Sequence, residues 1–174
     1  MKTTFDYRSA LEARLSSLGY GREGLEGLYE PVRYGLEGGG KRLRPVMMLM
    51  SCEAYGGNME DALDAACGIE MYHNFTLLHD DVMDNSDMRR GRETVHRKWD
   101  MNTAILSGDV MLTLATELMM KVDDGILRGV LDRFNRMAVE IDEGQRLDMD
   151  FEKRDLVTVE EYIRMITLKT GALL

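Results

Sequence analysis

Only two prolines occur in 174 residues, and long stretches pass without a turn signal. Proline fixes φ and removes a backbone donor, so its scarcity leaves the chain free to form long helices. Apolar residues recur at helical spacing, as at Leu25, Leu28, Val32 and Leu36. An all-α fold is predicted, with about seven helices. They are placed near 4–17, ending before Gly19; near 22–36, broken by Gly38-Gly39-Gly40; and from about Pro45, a residue suited to a first helical turn, to Gly56-Gly57. Others lie near 59–83, near 101–122 with Gly108 as a breaking point, and near 126–150. The last begins at the Thr158-Val159-Glu160-Glu161 capping box and is predicted to be still running at Leu174. A charged loop is predicted from Asn85 to about Arg97.

At 44% hydrophobic the chain can bury a real core, and its net charge of -9 argues against duplex nucleic acid as a partner. Cys52 and Cys67 show no CxxC spacing and read as reduced core residues. Residues 1–6 hold no apolar signal core, and no run of about 18 apolar residues exists to span a membrane. The expected location is the cytoplasm.

Asp80-Asp81-Val82-Met83-Asp84 gathers three carboxylates in five residues. On a helix, Asp80 and Asp84 share a face one turn apart, about 6 Å along the axis, where they would repel each other unless a hard cation such as Mg²⁺ bridged them. Asp81 points about 100° away. His73 lies two turns before Asp80, so His73, Thr76, Leu77, Asp80 and Asp84 form one stripe. Taken alone, the DDxxD pattern also suits a solvated helix end. Asp123-Asp124 lacks the third acid and reads as a helix end.

Gly38-Gly39-Gly40-Lys41-Arg42-Leu43-Arg44-Pro45 puts three cations on a glycine-rich loop at a helix start. Glycines allow close backbone approach to a phosphate, and Lys41 and Arg44 supply charge and a bidentate fork. The spacing is not that of a Walker loop. Arg89 and Arg90 point in different directions in most backbone conformations and could serve two diphosphates. Either stretch could equally be a solvated loop. Gln145 and Asp148 share a helix face, and Lys169-Thr170 falls late in a helix; neither is specific alone.

The order of these motifs says more than any one of them. GGGKRLRP, EMYHNFTLLHDDVMD, DMRRGRETVH, GQRLD and KTG, spanning Tyr34 to Gly171, resemble the trans-isoprenyl diphosphate synthases, or polyprenyl synthetases, of the farnesyl and geranylgeranyl type. The resemblance implies an isoprenoid synthase fold, with helices around a central cavity, and a homodimer. It implies head-to-tail condensation of isopentenyl diphosphate with an allylic diphosphate (dimethylallyl, geranyl or farnesyl), giving a C15–C20 product. Lys41, Arg44, His73 and Arg90 would hold isopentenyl diphosphate. Asp80 and Asp84 would ligate Mg²⁺, and Arg89, Lys169 and Thr170 would hold the allylic group. Gln145 and Asp148 would line the cavity. Asp80, Asp81, Asp84, Arg89 and Lys169 are the expected catalytic group.

In this family the residue five before the first motif aspartate often bears on product length, and here it is Phe75. The helical wheel instead brings Thr76 and Tyr72 nearer the Asp80 stripe. No second aspartate-rich motif follows Asp84, and family members are close to twice as long. A single incomplete domain over 1–174 is therefore expected, with apolar surface left exposed. The alternative functions are a non-catalytic partner subunit of a full-length synthase or, from the shared DDxxD, a terpene cyclase.

Overall fold

The computed structural model describes residues 2–174. In chain order its elements are α1 (Thr4–Ser17), α2 (Glu26–Glu37), α3 (Leu43–Ala54), α4 (Met59–Met83), β1 (Met88–Arg89), β2 (Arg92–Glu93), α5 (Val95–Lys98), α6 (Met101–Met119), α7 (Asp124–Phe151) and α8 (Val159–Lys169). Apart from one two-stranded hairpin the fold is all-α, as expected. It comprises two compact units, one through Val122 and one over Asp123–Leu174.

The helix starts are written locally. Thr3 and Asp6 form a capping box that opens α1. Asn58 accepts from the Glu60 N–H at the start of α4, and Glu60 and Asp61 place negative charge at the positive end of the dipole. Asp123 caps α7 by accepting from Gly125 N. Thr158 and Glu161 form the predicted capping box of α8. Hydrogen bonds from Arg154 and then from the Thr158 backbone hold the Glu161 carboxyl down at about 2.

Several boundaries differ from the sequence reading. α2 starts at Glu26 rather than near 22, because Gly24 has φ +79° and Leu25 lies outside helical geometry. Pro31 sits within α2, which forgoes one backbone bond there. α3 begins two residues before Pro45. α6 runs unbroken through Gly108 and stops at Met119. The last helix ends at Lys169, and a 3₁₀ turn over Gly171–Leu173 follows, so no α-helix runs on to Leu174.

The predicted loop after Asn85 is largely ordered. β1 and β2 pair antiparallel with Met88 opposite Glu93 and Arg89 opposite Arg92. Arg90 (φ 53°) and Gly91 (φ 78°) make the two-residue connection. Two successive positive φ values are what a tight hairpin turn needs, and glycine supplies the second without strain.

In the first unit α4 is the central helix, packed against α6, α3 and α1. Leu11, Val32, Leu49, Met71, Met111 and Ala115 are wholly buried. Each large side chain of this kind contributes about 1.5–3 kcal/mol. Cys67 lies in the same core, and burial pushes its thiol up to about 12. Both cysteines are free, as expected. Apolar side chains are also exposed in stripes: Leu43, Met47 and Met50 on α3, Met101, Ile105 and Leu106 on α6, and Val159, Tyr162 and Ile163 on α8. No described helix is long and apolar enough to cross a membrane.

Candidate active site

The basic cluster is built on the α2–α3 loop. Arg42 adopts a left-handed conformation, φ 51°, as the residue that opens α3. Its side chain turns inward, donating from Nε to Glu12 at 2.9 Å, from Nη1 to Glu70 at 2.6 Å and from Nη2 to Leu36 O at 2.8 Å. Burial opposes the Arg42 charge, but the bonds to Glu12 and the field of Glu70 outweigh it and raise its pKa. Asn74 donates to the same Glu70 carboxylate at 3.0 Å. One of the three loop cations is thus a structural tie.

Lys41, Arg44, His73 and Arg90 line a cleft of about 350 Å³, together with Gly40, Arg42, Leu43 and Glu70. Arg44 Nε is buried and has no hydrogen-bond partner among the described residues. Burial lowers the Arg44 pKa, with Glu70 acting the other way. A poorly solvated guanidinium at a cleft wall gains by meeting an anion. Burial, then the positive fields of Arg44, Arg90, Arg89 and Arg42, push His73 down to about 4. At neutral pH His73 is therefore an uncharged hydrogen-bonding group.

The acid cluster lies at the other end of the stripe. Asp80 and Asp81 occupy the last turn of α4, and Asp84 caps it, its N–H bonding to Asp80 O at 2.8 Å. Their faces diverge as the wheel predicts: Asp81 is 4% exposed, whereas Asp84 is open to solvent. Arg89 Nε donates to both Asp81 oxygens, at 2.8 and 2.9 Å, and its Nη2 reaches Asp80 Oδ2 at 3.2 Å. Burial raises the Asp81 pKa, partly offset by Arg89. Asp81 thus anchors Arg89, Asp80 is half-buried with its Oδ2 on Arg89, and Asp84 stays open to solvent.

That donor set suits Mg²⁺. The ion commonly takes one or two carboxylates, with waters and substrate phosphates completing its shell. Among the described residues no three His, Cys, Asp or Glu side chains converge into a closed cage. Asp80 and Asp84 would hold the metal from one side, and the remaining positions would fall to a phosphate-bearing ligand.

The hairpin sends its two arginines to different clusters. Arg89 goes to the acids, and Arg90 Nη1 bonds Gly39 O beside the basic cleft. Thr94 closes the hairpin base, its N–H on Asp87 O at 3.1 Å and its hydroxyl on Ser86 O at 2.7 Å. The Arg90-Gly91 dipeptide between paired charges was the available sequence signal for this hairpin.

Phe75 packs on α4 between Tyr72 and His79, with ring centroids 5.4 and 4.7 Å away. His79, absent from the sequence reading, contacts Ile105 O at 3.1 Å. Tyr72 is 1% exposed, and the Thr76 hydroxyl bonds His73 O at 2.8 Å.

The second unit holds the other expected residues. Gln145 and Asp148 lie on α7, Lys169 ends α8 and Thr170 follows it. Lys169 Nζ bonds Asp148 Oδ2 at 2.5 Å, so this late-helix lysine is engaged rather than solvated. Gln145 Nε2 is buried with no partner among the described residues.

An all-α fold thus carries an arginine hairpin that reaches an acid cluster through Arg89 and a basic cleft through Arg90, chemistry suited to a divalent cation and an anion. Residues 25–174 match the polyprenyl synthetase family model, and the chain belongs to that family. It is 46% identical over 150 residues to a geranylgeranyl diphosphate synthase of Methanosarcina mazei, covering 85% of this chain and 46% of the relative. It is 49% identical over 152 residues to a geranylgeranyl pyrophosphate synthase of Geoglobus acetivorans, covering 86% and 47%. A crystal structure of a geranylgeranyl pyrophosphate synthase superposes with a TM-score of 0.95 at 50% identity, over 99% of this chain and 53% of that one. The chain spans about half the length of the curated relatives it matches.

Proposed function

We propose that this chain carries the substrate and metal residues of a trans-prenyltransferase. The enzyme joins isopentenyl diphosphate head-to-tail to dimethylallyl, geranyl or farnesyl diphosphate and releases a C15–C20 trans-polyprenyl diphosphate. The observation that carries this reading is the division of the arginine pair, with Arg89 at the acid cluster and Arg90 at the basic cleft. Two diphosphates must be held side by side for the reaction, and the chain offers one guanidinium to each.

In this reading Lys41, Arg44, His73 and Arg90 bind isopentenyl diphosphate. Asp80 and Asp84 hold Mg²⁺, which when bound neutralises charge on the departing diphosphate. Arg89, kept in place by Asp81, adds fixed positive charge at the allylic diphosphate, where negative charge develops as the C–O bond breaks. Lys169 and Thr170 serve the same group, with Gln145 and Asp148 beside them. The allylic cation is then attacked by the isopentenyl double bond, and the released diphosphate accepts the proton. No side-chain base is required. The geranylgeranyl synthases among its relatives support a C20 product. The exposed Met101, Ile105 and Leu106 on α6 support a homodimer.

The test is incubation of the full-length protein with labelled isopentenyl diphosphate, each allylic primer and Mg²⁺, followed by product chromatography. A C20 product that disappears with a chelator is expected. Absence of condensation with every primer sinks the reading. Diphosphate binding without turnover would instead favour a non-catalytic partner subunit.

A further inference from the structure

Tyr34, near the end of α2, meets the arginine hairpin and its flank at several points. Its hydroxyl donates to Glu93 O on β2 at 2.9 Å. The Arg92 guanidinium lies 3.9 Å from its ring centroid, and Lys98 Nζ lies 4.2 Å from it. Trp99 closes the cluster edge-on at 5.2 Å, and Arg92 Nη1 reaches back to Tyr34 O at 3.5 Å. Both contacted hairpin residues belong to β2, where Arg92 is the partner of Arg89 across the ladder.

A hairpin of two residues per strand has no stability of its own. Its direction must come from what it rests on, and its outward strand rests on Tyr34. The same helix end leads within a few residues into Gly38–Gly40, the loop that presents Lys41 and Arg44. The residue that holds β2 therefore sits on the helix end that leads into the basic loop.

We propose that Tyr34, together with Arg92, is a positioning residue for both diphosphate sites: ring and hydroxyl clamp the hairpin to α2, so that Arg89 meets Asp80 and Asp81 while Arg90 meets the His73 cleft. This deepens the prenyltransferase reading and rests on it. In this assignment Tyr34 and Arg92 act through the hairpin and are not diphosphate ligands themselves. Losing the clamp lets the turn drift and weakens both sites together, whereas losing a direct ligand weakens one.

The experiment is calorimetric titration of the purified chain with isopentenyl diphosphate and, separately, with inorganic pyrophosphate plus Mg²⁺. Tyr34→Leu is expected to weaken both ligands by about tenfold, and Arg92→Met by a smaller factor also shared by both, in line with the loss of a stacked cation. Tyr34→Phe, which keeps the ring, is expected to recover most of the loss. Lys41→Met is the comparison and is expected to weaken isopentenyl diphosphate alone. Circular dichroism and thermal melting establish that each variant is folded at the titration temperature. A role confined to stability would lower the melting temperature and leave both affinities unchanged, which overturns the proposal. If Tyr34→Leu does not fold, wild-type affinities for both ligands in Arg92→Met overturn it equally. A wild-type chain that binds neither ligand removes the underlying reading itself, and the wild-type arm alone reveals that outcome.

Discussion

Gly144 on α7 lies directly against the backbone of Lys169 on α8: a Cβ at that position would stand 2.6 Å from Lys169 Cα and 2.8 Å from Leu168 C. Backbone cannot swing aside as a flexible side chain would. Gly144→Ala must therefore push the end of α8 outward and stretch the Lys169–Asp148 pair. A cost of about 1–3 kcal/mol is expected, as for other overpacked sites, measured by chemical denaturation. An unchanged denaturation midpoint would show that the contact relaxes freely.

His73 gives an acid-side signature. Burial holds its folded pKa at about 4, below the ordinary histidine value of 6.5. A group depressed in this way contributes stability above its unfolded pKa. That contribution is lost as pH falls from about 6.5 to about 4, where the unfolded chain takes up a proton that the folded chain refuses. Up to about 3 kcal/mol is expected to disappear across that window. His73→Gln, which stays neutral throughout, should flatten the profile there. Parallel curves for the two proteins would refute the assignment.

Asp81 is expected to matter through Arg89. Asp81→Asn removes the charge that takes the Arg89 Nε in a bidentate grip. The expected cost is about 1–3 kcal/mol, toward the lower end because the Arg89 side chain is 33% exposed. In the full-length enzyme kcat should fall more than KM rises, since a guanidinium aimed at developing charge acts in the transition state. A pure KM effect would point to ground-state binding instead.

Phe75→Ala is expected to lengthen the products of the full-length enzyme by one or more isoprene units, read by chromatography. The ring stands between Tyr72 and His79, so its removal opens a gap along α4. Tyr72→Ala is the second candidate. Unchanged product length in both variants rules the idea out.

The helices were legible because their signals are local. Caps at Thr158 and the spacing of Asp80 and Asp84 depend on neighbours three or four residues away. The wheel even separated Asp81 from Asp80 and Asp84, and burial follows that division. The hairpin was not legible, because strands as short as Met88–Arg89 and Arg92–Glu93 carry no alternating pattern; only Arg90-Gly91 hinted at the turn. Nor could the loop sequence reveal which of Lys41, Arg42 and Arg44 turns inward. The partners that decide it, Glu12 and Glu70, are 30 and 28 residues away. Tyr34 escaped for the same reason: its contacts with Glu93 and Arg92 span 59 and 58 residues.

Arg42 carries one further consequence. Its guanidinium is shared by Glu12 on α1 and Glu70 on α4, so the basic loop cannot open alone without stranding a buried charge. Displacing that loop therefore means disturbing the α1–α4 packing as well. A diphosphate captured there would stabilise the whole first unit against unfolding.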